Sequence, residues 1–348
     1  MAKKQEQPDA LQSLKQAIRS KEPGRLYFFY GEEAFLLHHY LEQLRKCIVE
    51  ELTESFNYHK FTSETFEIRD FADSVENLPM MAERTMVVVD EIDIFKMNES
   101  DREKMAEILS DIPEYCTVIF SYVTIDFKPD KRFKKLWDVV QKNAELVEFG
   151  KQSQRDLISW VTRHFAANKK RITPDLCAYL IDITGGTMTA LAGEIAKISA
   201  YSGSDEIRRS DIDAVTEPVL DAVAFQMTEL LSQGEGGKAL QKLQQLLKMQ
   251  QEPVLILGAI GSHFRRMATA RTLLDHGKSA AELMRLCKLS DYAARKTMAA
   301  AGRFSAGFYA KAAELVLESD RQMKTSLDTP VRILEVLVLS LAQEVRND

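Results

Sequence analysis

At 348 residues the chain is long for one domain, and its 45% hydrophobic and 28% charged residues are the balance of a globular protein, not a disordered one. The net charge of −6 is uneven: residues 214–348 carry 17 Lys and Arg against 15 Asp and Glu, net +2, which leaves −8 on residues 1–213. This excludes the broad basic stripe of a protein that binds DNA tightly by itself, and no run of 18 uncharged apolar residues is available to cross a membrane.

Met1-Ala2-Lys3-Lys4-Gln5 is polar and lacks the apolar centre of a signal peptide. A helical run, Leu11–Arg19, closes at Lys21-Glu22-Pro23-Gly24. Leu26–Tyr30 reads as a buried aromatic strand, Gly31-Glu32-Glu33 as a turn, and Ala34–Glu51 as a helix with Phe35, Leu37, Leu41, Leu44 and Ile48 at helical spacing. Phe56–Phe61 alternates like a second strand, and Phe66–Val75 reads as a helix. Met86–Val89 is continuously apolar, as in a strand covered on both faces. Ser100–Ser110 is helical, Cys116–Tyr122 a strand, Phe133–Lys142 a helix and Ala144–Phe149 a last strand. This alternation predicts an α/β domain with a parallel sheet and helices on both faces.

After Gly150 the periodicity is helical throughout. Ser153–Asn168, Pro174–Thr184, Met188–Ser202 and Arg209–Val215 form a small set, with Thr173-Pro174 as an N-cap and first-turn proline and Gly185-Gly186 as a stop. Glu217-Pro218 interrupts the pattern. Then follow Val219–Gln233, Gly237–Gln250, Pro253–His276, Ala280–Cys287, Ser290–Ala301, Ser305–Thr325 and Thr329–Val345. The expected division is 1–150, 151–213 and 214–348.

Few residues suggest catalysis. Cys47, Cys116, Cys177 and Cys287 lie far apart without a Cys-x-x-Cys pair, so reduced thiols of a cytoplasmic protein are expected, without disulfide or zinc. The six histidines lack metal spacing. A strand, glycine turn and helix is where a nucleotide phosphate binds, but Gly31-Glu32-Glu33-Ala34 offers no lysine and no hydroxyl, and two carboxylates stand where phosphate charge would go. Asp90-Glu91 at the end of Met86–Val89 imitates the acidic pair that handles magnesium in ATPases. An active ATPase is therefore one alternative, with a solvated loop as the simpler reading. Ala280–Cys287, Lys288-Leu289 and Ser290–Ala301 have helix–turn–helix spacing. Asp291, Tyr292, Arg295 and Lys296 on a recognition helix would make a DNA-binding regulator; an ordinary hairpin cored by Leu283, Leu286, Tyr292 and Met298 is the competing reading. Asn77-Leu78-Pro79-Met80-Met81-Ala82-Glu83-Arg84 places two methionines at the rim of a strand, either as a lid on the core or as a surface for a partner.

Taken in order, the strand with Gly31-Glu32-Glu33-x-x-Leu36, the run Leu78–Thr85 with its strand, Leu191–Ile198, and Lys324-Thr325-Ser326 with Glu335 resemble the delta subunits of the bacterial DNA polymerase III clamp loader. The resemblance covers nearly the whole chain. It implies an AAA+-like, P-loop-like α/β domain that binds no ATP, then an all-α lid and an all-α collar. It implies no catalytic residue, cofactor or metal, and the role of an accessory subunit of a DNA-directed DNA polymerase (a nucleotidyltransferase) in the bacterial cytoplasm. The implied partners are the sliding clamp (beta), other loader subunits through the collar, and primed-template DNA within the complex. Leu78, Pro79, Met80, Met81 and Arg84 are the residues implied to bind the clamp, and Gly31, Glu32 and Glu33 the degenerate phosphate loop. The family often carries leucine and phenylalanine where Met80 and Met81 stand.

Overall fold

The computed structural model describes residues 10–348, so the polar Met1–Gln5 segment lies outside the described residues. The chain forms two compact units, one running to Gln152 and one from Ser153 to Asp348.

The first unit runs α1 (Ala10–Ser20), β1 (Leu26–Tyr30), α2 (Ala34–Ile48), a 3-10 turn (Glu51–Thr53), α3 (Glu54–Asn57), β2 (Tyr58–Phe61), α4 (Ile68–Glu76), β3 (Thr85–Asp90), α5 (Glu99–Ser110), β4 (Cys116–Tyr122), α6 (Lys134–Asn143) and β5 (Glu145–Glu148). All strands are parallel, in the order β2-β3-β4-β1-β5. Alternate residues of each strand enter different cores. Leu26, Phe28, Val87, Val89, Val118 and Phe120 pack with Phe71, Met105, Leu109, Leu136 and Val140 of α4, α5 and α6. Tyr27, Phe29, Met86, Val88, Ile119 and Val147 pack with Leu14, Leu37 and Leu44 of α1 and α2. A strand covered on both faces cannot show polar alternation, which is why Leu26–Phe29 and Met86–Val89 are continuously apolar.

The expected strand at Phe56–Phe61 is corrected: Phe56 and Asn57 belong to α3, and the strand begins at Tyr58. The Asn57 side chain is fully buried and donates to the Thr53 carbonyl at 3.2 Å, which closes a helical turn where alternation alone suggested extended chain.

The second unit is all helix apart from one isolated bridge, Arg171 to Glu206. It comprises α7 (Gln154–Ala167), α8 (Pro174–Thr184), α9 (Met188–Tyr201), α10 (Arg209–Val215), α11 (Leu220–Ser232), α12 (Gly236–Lys248), α13 (Pro253–Asp275), α14 (Ala280–Cys287), α15 (Asp291–Ala301), α16 (Ala306–Thr325) and α17 (Pro330–Asn347). Hydroxyl caps set many starts: Ser153, Thr173, Thr187, Ser290, Ser305 and Thr329 each accept an N–H from the first turn. Left-handed Gly185 and Gly186 stop α8. A single core from Val223 to Leu341 joins α11 to α17. Among the described residues no single helix is long and apolar enough to cross a membrane.

Candidate functional site

The segment between α4 and β3 is fixed at three points. The Tyr115 hydroxyl donates to the Glu76 carbonyl at 2.7 Å at the end of α4. The Arg84 guanidinium donates to the Pro23 carbonyl at 3.2 Å just before β3. Between them, the Asn57 side chain holds both polar groups of the Met80 backbone: its Oδ1 accepts the Met80 N–H at 2.8 Å, and its Nδ2 donates to the Met80 carbonyl at 2.9 Å. With its backbone tied down, the segment turns its side chains out. Leu78 is 77% exposed, Met80 52% and Met81 88%.

Met81 has φ +53, a left-handed conformation that costs an ordinary residue about 1–2 kcal/mol and persists only where the surroundings impose it. A core lid would bury these methionines, and the geometry shows a projecting apolar edge instead. Arg84 differs from the rest of the expected set: it is half-buried and its observed bond runs to the main chain, so it anchors the segment.

Sequence reasoning missed three residues here. Leu52 and Phe56 are exposed large apolar side chains on the turn that carries Asn57, and Asn57 itself is the support. A lone buried Asn whose partner lies 23 residues away leaves no local signal.

The turn after β1 is closed by protein. Gly31 has φ +130, and a Cβ there would stand 2.4 Å from the Phe149 carbonyl oxygen. The Glu33 N–H donates to that same oxygen at 2.9 Å. A phosphate loop works by leaving such N–H groups free to face the anion, and here the end of β5 takes one of them. Glu33 is buried, and Glu32 is exposed beside it.

Asp90 and Glu91 are not solvated loop residues. Asp90 is the last residue of β3; its carboxylate accepts the Ser121 hydroxyl at 2.6 Å and pairs with Lys60 at 2.9 Å. Burial pushes the Asp90 carboxyl up, and the Ser121 hydroxyl and Lys60 ammonium outweigh it, holding the group below its ordinary range. Glu91 has φ +57, and its carboxylate accepts the N–H groups of Val123 at 2.7 Å, Thr124 at 2.8 Å and Ile125 at 3.0 Å. Both carboxylates hold the ends of β3 and β4 together. Among the described residues no three His, Cys, Asp or Glu side chains converge as metal ligands.

The helix–turn–helix segment exists as α14, a left-handed Lys288 and α15, but Lys296 among its expected base-reading side chains is engaged within the second unit. Lys296 pairs with Asp182 of α8 at 3.2 Å and lies 3.8 Å from the centre of the Phe225 ring. The Tyr292 N–H donates to Gln154 at 3.1 Å, and Arg295 pairs with Asp291 at 2.5 Å. Leu283 and Met298 are buried as a hairpin core requires, whereas Leu286 is exposed, against expectation. A recognition helix must present such side chains to base edges, and Lys296 is withdrawn from that task by Asp182 and Phe225.

Two family models match the chain: DNA polymerase III, delta subunit, over residues 27–150, and DNA polymerase III delta subunit, C-terminal domain, over residues 221–341. The DNA polymerase III subunit delta of Bacillus subtilis is 24% identical over 338 residues, covering 95% of this chain and 96% of the relative. A probable DNA polymerase III subunit delta of Aquifex aeolicus is 21% identical over 267 residues, covering 73% of each chain. The solved structure of the Bacillus subtilis DNA clamp loader delta protein superposes with a TM-score of 0.58 at 21% identity, over 96% of this chain and 99% of that one. With both family models falling on the two units just described and together spanning well over half of its length, the chain belongs to the DNA polymerase III delta subunit family.

Proposed function

We propose that this chain works as a non-catalytic clamp-loader subunit of the bacterial cytoplasm, which binds the sliding clamp (beta) and holds one interface of the ring open while ATP-binding partner subunits drive loading onto primed DNA. The observation that carries this reading is the projecting edge of Leu78, Met80 and Met81 on a backbone tied at Asn57 and Arg84. Unbranched thioethers fill an apolar pocket of irregular shape, and a rigid presentation lowers the ordering cost of binding. Leu52 and Phe56 extend the same contact from the adjoining turn. Pro79 and the anchored Arg84 shape the edge from either end.

The turn at Gly31, Glu32 and Glu33 binds no nucleotide in this reading, because its N–H and its space are taken by Phe149. We divide the second unit functionally at residue 213 into a lid and a collar. In the collar, Leu317 of α16 and Val336 and Leu339 of α17 are exposed apolar residues suited to neighbouring loader subunits.

The test is binding of the purified chain to its cognate sliding clamp, with and without ATP. Binding is expected to need no ATP. The double change Met80→Ala and Met81→Ala should weaken it about 30-fold or more, the loss of a hot-spot anchor. Unchanged affinity in a folded variant removes the site assignment.

A further inference from the structure

Asn57 has a role that neither its family nor its sequence position announces. A side-chain amide carries one acceptor and a pair of donors on a planar group, so it can pair with the N–H and C=O of one residue as a neighbouring strand does. Asn57 does this to Met80 and donates to the Thr53 carbonyl besides, with none of its surface exposed. Its acceptor and its two donated bonds are satisfied by backbone groups alone. No apolar contact of Met80 or Met81 is needed to explain where the segment runs. The next residue, Met81, sits at φ +53 within a bend, and both methionine side chains are exposed. Aspartate in place of Asn57 would lack the donor, and leucine or alanine would lack both groups.

We propose that Asn57 is a positioning residue for partner binding: it holds the Met80 peptide groups so that the two methionine side chains project as a preformed wedge. The inference rests on the proposed clamp-binding role of Met80 and Met81. Without the amide, the segment keeps its ends at Tyr115 and Arg84 but loses its central fixed point. The exposed side chains then sample positions against the protein's own surface, and only a fraction of molecules present the wedge. Apparent affinity falls by that fraction.

The experiment measures binding of the full chain to its cognate sliding clamp by surface plasmon resonance. Four proteins are compared: wild type, Asn57→Ala, the Met80→Ala/Met81→Ala pair, and the triple variant. Folded fractions are read by calorimetry. Asn57→Ala should weaken binding about tenfold, mainly through slower association, while the triple variant binds no worse than the methionine pair. Such non-additivity shows that Asn57 acts through the methionines. Full affinity in folded Asn57→Ala overturns the inference. So does an equal further loss in the methionine-free background, which assigns Asn57 to general stability. If the methionine pair itself binds like wild type, the site reading fails, a result separable from failure of Asn57 alone. Should Asn57→Ala not fold, hydrogen exchange on the wild-type chain decides: the Met80 amide should be protected about a hundredfold relative to an unstructured peptide, and an unprotected amide overturns the proposal.

Discussion

The Asp90 carboxylate stands 2.9 Å from the Lys60 ammonium of the neighbouring strand, on the other side from the Ser121 hydroxyl. An acidic residue at the tip of a central strand is thus occupied on both flanks, and its neighbour Glu91 is bound to three consecutive backbone amides. Glu91→Ala is expected to lower stability by about 2–3 kcal/mol, because three N–H groups, two of them partly buried, lose a charge-assisted partner. Urea unfolding measures it. If these carboxylates served magnesium instead, the same change would raise stability by relieving charge repulsion, and a loss would appear only in nucleotide binding.

Gly31→Ala is the second prediction. The new methyl would meet the Phe149 carbonyl at 2.4 Å in a backbone conformation that only glycine adopts readily. A loss of about 3 kcal/mol or more in urea unfolding, or failure to express as folded protein, is expected. A neutral result would mean that β5 can move away from the turn.

A third prediction concerns pH. His263 of α13 is buried against the rings of Phe225 and Phe264, and its Nε2 has no hydrogen-bond partner among the described residues. Burial, with Arg266 next in effect, lowers its pKa to about 3 from an ordinary value of 6.5. The unfolded chain therefore takes up a proton that the folded chain refuses. Stability from this neutral ring is complete above the unfolded pKa and declines as pH falls below it, by about 1.4 kcal/mol per pH unit from one group. Between pH 6 and 4, His263→Leu should show a flatter decline than wild type. Parallel curves would show that the ring charges inside the fold.

Lys296→Met separates packing from DNA reading. The change leaves Asp182 without its half-buried partner and removes a cation from the Phe225 ring. Thermal unfolding should report a loss of about 1–3 kcal/mol. A variant with wild-type stability but weakened, salt-dependent duplex binding would restore the recognition-helix reading.

The fifth prediction addresses the turn beside the methionines. Phe56→Ser should weaken clamp binding about threefold to tenfold and leave stability within about 0.5 kcal/mol, since the side chain is more than half exposed. A change in stability without a change in binding would place Phe56 in the fold rather than the contact.

Much of the fold was legible in the sequence because its signals are local. Leu26–Tyr30 and Met86–Val89 are apolar from end to end since both faces are covered, and Thr173-Pro174 or Gly185-Gly186 mark helix ends without outside help. The exposed methionines also left a trace, as apolar residues crowded beside Pro79, Glu83 and Arg84. What escaped was every arrangement made by distant partners. Asn57 reads as part of an alternating strand until Met80 arrives 23 residues later, and Glu91 reads as loop until the amides of residues 123–125 close on it. Lys296 looks like part of a reading face because Asp182, its partner, lies more than 110 positions back. Side-chain chemistry was visible; its addressee was not.

The carbonyl of Phe149 sits where the turn after β1 would need room, and it already holds the Glu33 amide. Placing a lysine and a serine into Gly31–Phe35 would therefore recreate the letters of a phosphate loop without its cradle. Building a phosphate cradle at this turn would require a longer loop and a displaced β5 together, two changes of which neither is useful alone.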